Sequence, residues 1–159
     1  MIRDISESGP RLRITAVLLL RLVLGAVFVY AAYTKLRDPW ALFAMSIDSY
    51  KLLPEWGVIA AAHTLPWFEL LLGLVLISGL ALRYAAAAAA LVLTAFFTAM
   101  LIGYARGLEI DCGCFGPGEA LGPRTLLRDG TLVVLAIVLA VLSMRPARKA
   151  KPREITMSV

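Results

Sequence analysis

The sequence predicts an all-α membrane protein: a four-transmembrane-helix bundle with a short interfacial helix between the first and second spans. Three observations carry that prediction. Of the 159 residues 60% are hydrophobic and the mean hydropathy is +0.82, too apolar for a soluble domain that must cover its surface with polar groups. Only 17% are charged, and most of these lie between long apolar runs rather than inside them. Each run holds about 20 residues, which at about 1.5 Å per residue crosses a hydrocarbon core of about 30 Å.

The first span covers residues 14–33. Arg11 and Arg13 before it also fit a cleaved signal peptide, but Arg21 inside the run and the lack of an A-x-A site after it favour a retained anchor. Residues 38–56 mix Trp40, Phe43, Tyr50 and Trp56 with Asp48, Lys51 and Glu55. Aromatics beside charges suit the membrane interface and predict a short surface helix, with an ordinary loop as the plain alternative. The second span, 57–82, contains His63, Pro66 and Glu69, and Pro66 should kink or break it. A tight connection around Arg83 leads into the third span, 84–104, which opens on the alanine run from Ala85 to Ala90. Small side chains of this kind let membrane helices approach closely. Residues 105–123 are rich in glycine and proline and read as loop. The fourth span covers 125–144, with Arg128 and Asp129 in its first turns. The chain thus divides into a membrane domain, 1–144, and a basic tail, 145–159.

The net charge of +5 points to lipid rather than nucleic acid. Arg145, Arg148, Lys149, Lys151 and Arg153 crowd the tail just beyond an apolar helix, where such clusters meet anionic headgroups. No nucleic-acid motif accompanies them. Four spans place both termini on one side, which carries nine cations against six on the other, with Arg21 inside the membrane. The positive-inside rule therefore puts both termini in the cytoplasm and the loop between the third and fourth spans outside the cell (inner) membrane.

That loop holds both cysteines, in Asp111-Cys112-Gly113-Cys114-Phe115-Gly116. An extracytoplasmic compartment permits disulfides. A Cys-Gly-Cys pair can close a small ring if the backbone turns sharply at Gly113, with Gly116 relaxing the chain beyond it. Joining residues two apart removes little loop entropy, so a catalytic or regulatory bond is better motivated than a structural one. A soft ion such as Cu(I) is a second reading, and an inert pair a third. Zinc wants four ligands, and His63 is the only histidine.

Charged groups within a membrane are paired or face a polar cavity. Arg21 and Glu69 fall at similar estimated depths, predicting an intramembrane ion pair between the first two spans. It serves either as a clamp or as a proton or ligand site. Arg21, Gly25, Phe28, Ala32 and Lys35 form one stripe at helical spacing, expected to face the bundle. Lys35 should emerge at the outer surface, either snorkelling or lowering a thiol pKa beneath the loop. His63 either shuttles protons near the cysteines or simply packs. Lys35 or Arg128 would offset the negative charge of Asp111 beside the thiols.

Taken together, these residues resemble the MauE/DoxX family of redox-associated membrane proteins, and its MauE branch more closely. The resemblance rests on Arg21, Lys35-Leu36-Arg37-Asp38-Pro39, Leu65-Pro66-Trp67-Phe68-Glu69, the cysteine loop, and Leu127-Arg128-Asp129, and covers residues 15–142. It implies a small membrane partner in thiol–disulfide chemistry outside the cytoplasm. The MauE branch is linked to maturation of methylamine dehydrogenase beside a thioredoxin-like protein, a substrate not carried over to this chain. With no Cys-x-x-C of its own, the chain is expected to exchange redox equivalents with a separate thioredoxin-like partner, supporting disulfide formation in an exported protein. Having one cysteine pair on one face, it needs a partner or a lipid-soluble carrier such as quinone, and no intrinsic cofactor is expected. A non-enzymatic assembly factor and a soft-metal carrier are the alternatives to an oxidoreductase component.

Overall fold

The computed structural model describes residues 5–108, 110–115 and 119–144, with side chains from Leu12 onward. The described residues form five helices: α1 (Ile5–Arg37), α2 (Trp40–Ser49), α3 (Glu55–Ser78), α4 (Leu82–Ala105) and α5 (Pro123–Met144). Four of them, with α1 counted from Leu12, are long and apolar enough to cross a membrane. The 22 residues of α5 already span about 33 Å. The fold class read from the sequence is the observed one, and the short helix after the first span is present as α2.

The long helices close into a ring in which α1 packs on α3 and α5, and α4 packs on α3 and α5. The contact between α3 and α4 is the slightest of these, while α2 lies mainly along α3. The α1–α3 crossing is set by two glycines. A Cβ on Gly25 would sit 2.9 Å from the Gly73 carbonyl oxygen, and a Cβ on Gly73 would sit 2.9 Å from that of Gly25. Backbones therefore meet where lipid supplies no hydrophobic drive and close packing must hold the helices. On the other side, Ala85, Ala86 and Ala89 of α4 share one core with Ala136, Leu139 and Ala140 of α5 and with Leu24 and Phe28 of α1. The alanine run thus serves the close packing that its composition predicts.

Of the kink or break expected at Pro66, the break is absent: α3 runs continuously through it, and the residue is buried. A membrane helix tolerates proline because neighbouring helices cover the freed backbone groups. The tight connection lies at Gly79–Ala81, not around Arg83, which is already in α4. Gly79 ends α3 at φ 75°, its N–H donating to the Val75 and Leu76 carbonyls, the left-handed cap that glycine adopts without a Cβ penalty. The basic tail and Gly116 lie outside the described residues.

Candidate functional site

The site forms where the loop after α4 folds over the ring of helices. A short antiparallel pairing shapes the loop: Cys112 N–H donates to the Glu119 carbonyl at 2.8 Å, and Leu121 N–H to that of Ile110 at 2.8 Å. Asp111 and Ala120 bridge between them. This register sets Glu119 opposite Cys112. Gly113 makes the turn at φ 68°, and a Cβ there would come within 3.1 Å of Ser46 Cβ on α2. Glycine is required both for the dihedral and for the approach of α2.

Both cysteines are thiols. Their carbonyls are tied down from two sides. The Tyr50 hydroxyl donates to the Cys112 carbonyl at 3.1 Å, and Lys35 Nζ donates to the Cys114 carbonyl at 3.0 Å. The Tyr50 ring seats against Gly103 of α4. Burial pushes the Tyr50 hydroxyl above its ordinary pKa, so it stays protonated as a donor.

Around the sulfurs the environments differ. Cys112 Sγ lies 3.4 Å from Glu119 Oε2 and 4.0 Å from Arg128 Nη2. Arg128 also binds Glu119 Oε1, reaches Asp129 through Nε at 2.9 Å, and covers the Phe115 ring at 4.4 Å. Cys114 Sγ instead stands 3.6 Å from Met100 Sδ and 3.6 Å from the Cys112 carbonyl. Hydrogen bonding from Cys114 pulls the Cys112 thiol below the ordinary cysteine range, against burial and the Glu119 carboxylate, which push it up. The same interaction pushes Cys114 well up, with burial and the negative charges of Cys112 and Asp129 adding to it. The hydrogen bond from Arg128 holds Glu119 below its usual carboxylate range. Cys112 is therefore the sulfur prepared to ionise, and Cys114 keeps its proton.

Beneath the loop, Lys35 Nζ donates to both oxygens of Glu69, at 2.8 and 2.7 Å, with the residues only 6% and 4% exposed. The rings of Phe43 and Phe96 stand 5.2 and 5.8 Å from the ammonium. This overturns the expected Arg21–Glu69 pair and the expected surface position of Lys35. Side chains lean toward the N-terminus of their own helix. From the Gly25–Gly73 crossing, Arg21 leans toward the α3–α4 turn, while Glu69 on antiparallel α3 leans toward the loop. Lys35, about 15 Å beyond Gly25, leans back to meet it. The Arg21 guanidinium stands against Gly79, and its Nε is buried without a hydrogen bond. Of the predicted stripe, Gly25, Phe28, Ala32 and Lys35 are buried and Arg21 is partly so.

His63 is not brought to the cysteines. It lies on the exposed side of α3, its Nδ1 2.9 Å from the Ile59 carbonyl oxygen and its ring 4.4 Å from that of Trp40. Six residues separate it from Glu69, about 120° round the helix from the inward face. Phe115 contacts Arg128 and Tyr30. Sequence reasoning missed Glu119, Tyr50 and Met100. Glu119 carried a faint signal as the acidic residue between the cysteines and Arg128. Tyr50 and Met100 were indistinguishable from interfacial and core residues. Among the described residues, no three histidine, cysteine or acidic side chains converge as a metal site.

A family model described as "Methylamine utilisation protein MauE" matches residues 13–142, which reach into every helix of the ring and take in the cysteine loop. The chain belongs to the MauE family. The MauE protein of Paracoccus denitrificans is 37% identical over 140 residues, covering 86% of this chain and 73% of that one. That of Methylophilus methylotrophus is 35% identical over 151 residues, covering 94% and 73%. The MauE protein of Methylorubrum extorquens is 34% identical over 121 residues, covering 74% and 64%. No solved structure matches the chain. Membership of the MauE family and the four spans make this a multi-pass membrane protein.

Proposed function

We propose that this protein relays redox equivalents to or from an extracytoplasmic thioredoxin-like partner through Cys112 and Cys114. The observation that carries the reading is the setting of Cys112, whose sulfur has a carboxylate acceptor at 3.4 Å and a guanidinium at 4.0 Å. The guanidinium favours the thiolate, and the carboxylate, whose own charge works against ionisation, gives the proton a first acceptor. In this reading Glu119 takes the Cys112 proton and Arg128 stabilises the thiolate. The Cys112 thiolate attacks a partner disulfide, forming a mixed disulfide and releasing a partner thiol. Cys114 sulfur then attacks Cys112 sulfur as its proton passes to the leaving partner sulfur, which closes the internal disulfide and releases the second partner thiol. The reverse sequence oxidises a partner dithiol. Lys35 and Glu69 act as positioning residues, and Asp129 orients Arg128.

The names of the relatives extend this reading to methylamine utilisation; in the relay reading itself, the protein supports disulfide formation in an exported protein. The cation distribution favours both termini in the cytoplasm and the cysteine loop outside, where a membrane-impermeant thiol reagent should label it in intact cells. Labelling only after permeabilisation would reverse the orientation. The test of the relay is trapping: Cys114→Ala should accumulate a mixed disulfide between Cys112 and a thioredoxin-like protein. Full activity in the double Cys112→Ala, Cys114→Ala variant would leave an assembly factor as the better account.

One observation favours a second reading. Met100 Sδ lies 3.6 Å from Cys114 Sγ, so a thioether stands beside the thiols as a third soft donor. Stoichiometric Cu(I) binding that is lost in Met100→Leu, without any mixed disulfide, would favour a soft-metal carrier.

A further inference from the structure

We propose that the groove between α2, α3 and α4 binds the ring of an isoprenoid quinone, which accepts two electrons from the Cys112–Cys114 dithiol. The proposal rests on the redox reading above and names the acceptor and its place.

The groove has a volume of about 390 Å³ and is lined by Phe43, Tyr50, Leu65, Phe96, Ser46 and Cys112, among others. That volume falls within the usual range for small-molecule sites of about 300–1,000 Å³. Its wall is almost wholly apolar, and Cys112, which carries the sulfur prepared to ionise, is among the residues that line it. The groove exists because α3 and α4, tightly packed on α1 and α5 respectively, meet each other only slightly. An opening between two membrane-spanning helices admits molecules dissolved in the bilayer. Cys112 is 4% exposed and borders this groove, whereas Cys114 faces the smaller cavity that holds Lys35, Glu69 and Asp129. A water-soluble oxidant has little to bind in such a wall. A flat apolar ring carrying two carbonyls matches it, with the aromatic side chains beside the ring and the Ser46 hydroxyl as the polar group of the wall.

The chemistry balances. The Cys112 thiolate adds to the quinone ring, forming a C–S bond, and its proton passes by way of Glu119. Cys114 sulfur attacks Cys112 sulfur, forming the S–S bond as the C–S bond breaks. The electron pair of that bond stays with the ring. Both thiol protons end on the two ring oxygens, so one dithiol and one quinone become one disulfide and one quinol.

The test uses the full chain, reduced and reconstituted in lipid nanodiscs, with decyl-ubiquinone as the probe and a small soluble disulfide as the reference oxidant. One quinol should form per disulfide closed. Ala61 and Ala99 line the groove. Ala61→Phe or Ala99→Phe should lower the ratio of quinone-driven to soluble-disulfide-driven oxidation by about tenfold, within the range that overfilling a packed site costs. Leu127→Phe adds the same ring on an exposed face of α5 and should leave the ratio unchanged. Oxidation by the soluble disulfide without any by quinone overturns the quinone site while the relay stands. Groove-filled variants with the wild-type ratio overturn it as well, as does a bound lipid chain that the quinone cannot displace. A dithiol inert to both oxidants removes the relay itself, and the quinone site with it.

Discussion

Lys35 and Glu69 form a buried ion pair in which the ammonium reaches both carboxylate oxygens and then spends its third hydrogen bond on the backbone of Cys114. One lysine thereby joins α1, α3 and the cysteine loop.

Removing one member of such a pair strands a charge, which costs about 3–5 kcal/mol. Lys35→Gln and Glu69→Gln should each lower the unfolding midpoint in detergent titration. The double variant should be less damaged than the sum of the two. Arg21→Gln combined with Glu69→Gln should be additive, because Arg21 lies against Gly79. Coupling in the Arg21 cycle, with none in the Lys35 cycle, would contradict the pairing.

The reciprocal approach of Gly25 and Gly73 leaves no room for a methyl group. Gly25→Ala and Gly73→Ala should each destabilise the bundle by about 1–3 kcal/mol, as overpacking does, by prising α1 from α3. Gly122→Ala, where an added Cβ would meet nothing within 4 Å, serves as the control. Equal behaviour of the three variants would argue against a glycine crossing.

Gly113→Ala meets two obstacles: a left-handed backbone worth about 1–2 kcal/mol and the 3.1 Å approach to Ser46. Ser46→Gly removes the second obstacle and not the first, so it should restore part of the lost thiol reactivity. Complete restoration would mean that the dihedral angle is unimportant.

The two thiols should separate by pH. A lowered pKa keeps thiolate present at lower pH, so alkylation of Cys112 should begin below the ordinary cysteine range of about 8.5, with Cys114 following only at much higher pH. Cys114→Ala removes the donor and should move the Cys112 profile upward. Glu119→Gln removes a negative neighbour and should move it downward. Site-resolved mass spectrometry after iodoacetamide pulses reads both profiles, and earlier labelling of Cys114 would reverse the assignment.

Much of this architecture was legible from periodicity and composition, because a lipid solvent leaves few options: four apolar runs give four helices, and the stripe from Gly25 to Lys35 does face inward. Partners were harder. Depth counted along two helices placed Arg21 level with Glu69, but the lean of each side chain toward its own N-terminus decides who meets whom. Cys112, Gly113 and Cys114 announced a site. Glu119 joined it only through the backbone register between residues 110–112 and 119–121, which sequence spacing does not fix. Tyr50 entered through α2, whose placement over the loop depends on the missing side chain of Gly113.

The two carbonyl ties, Tyr50 to Cys112 and Lys35 to Cys114, also bear on what neighbours can sense. With the frame of the loop fastened on both sides of Gly113, α1 and the end of α2 each hold one cysteine by its backbone and leave the two sulfurs to their own surroundings. Under the proposed relay, a partner would then read the pair by reaching the sulfurs themselves.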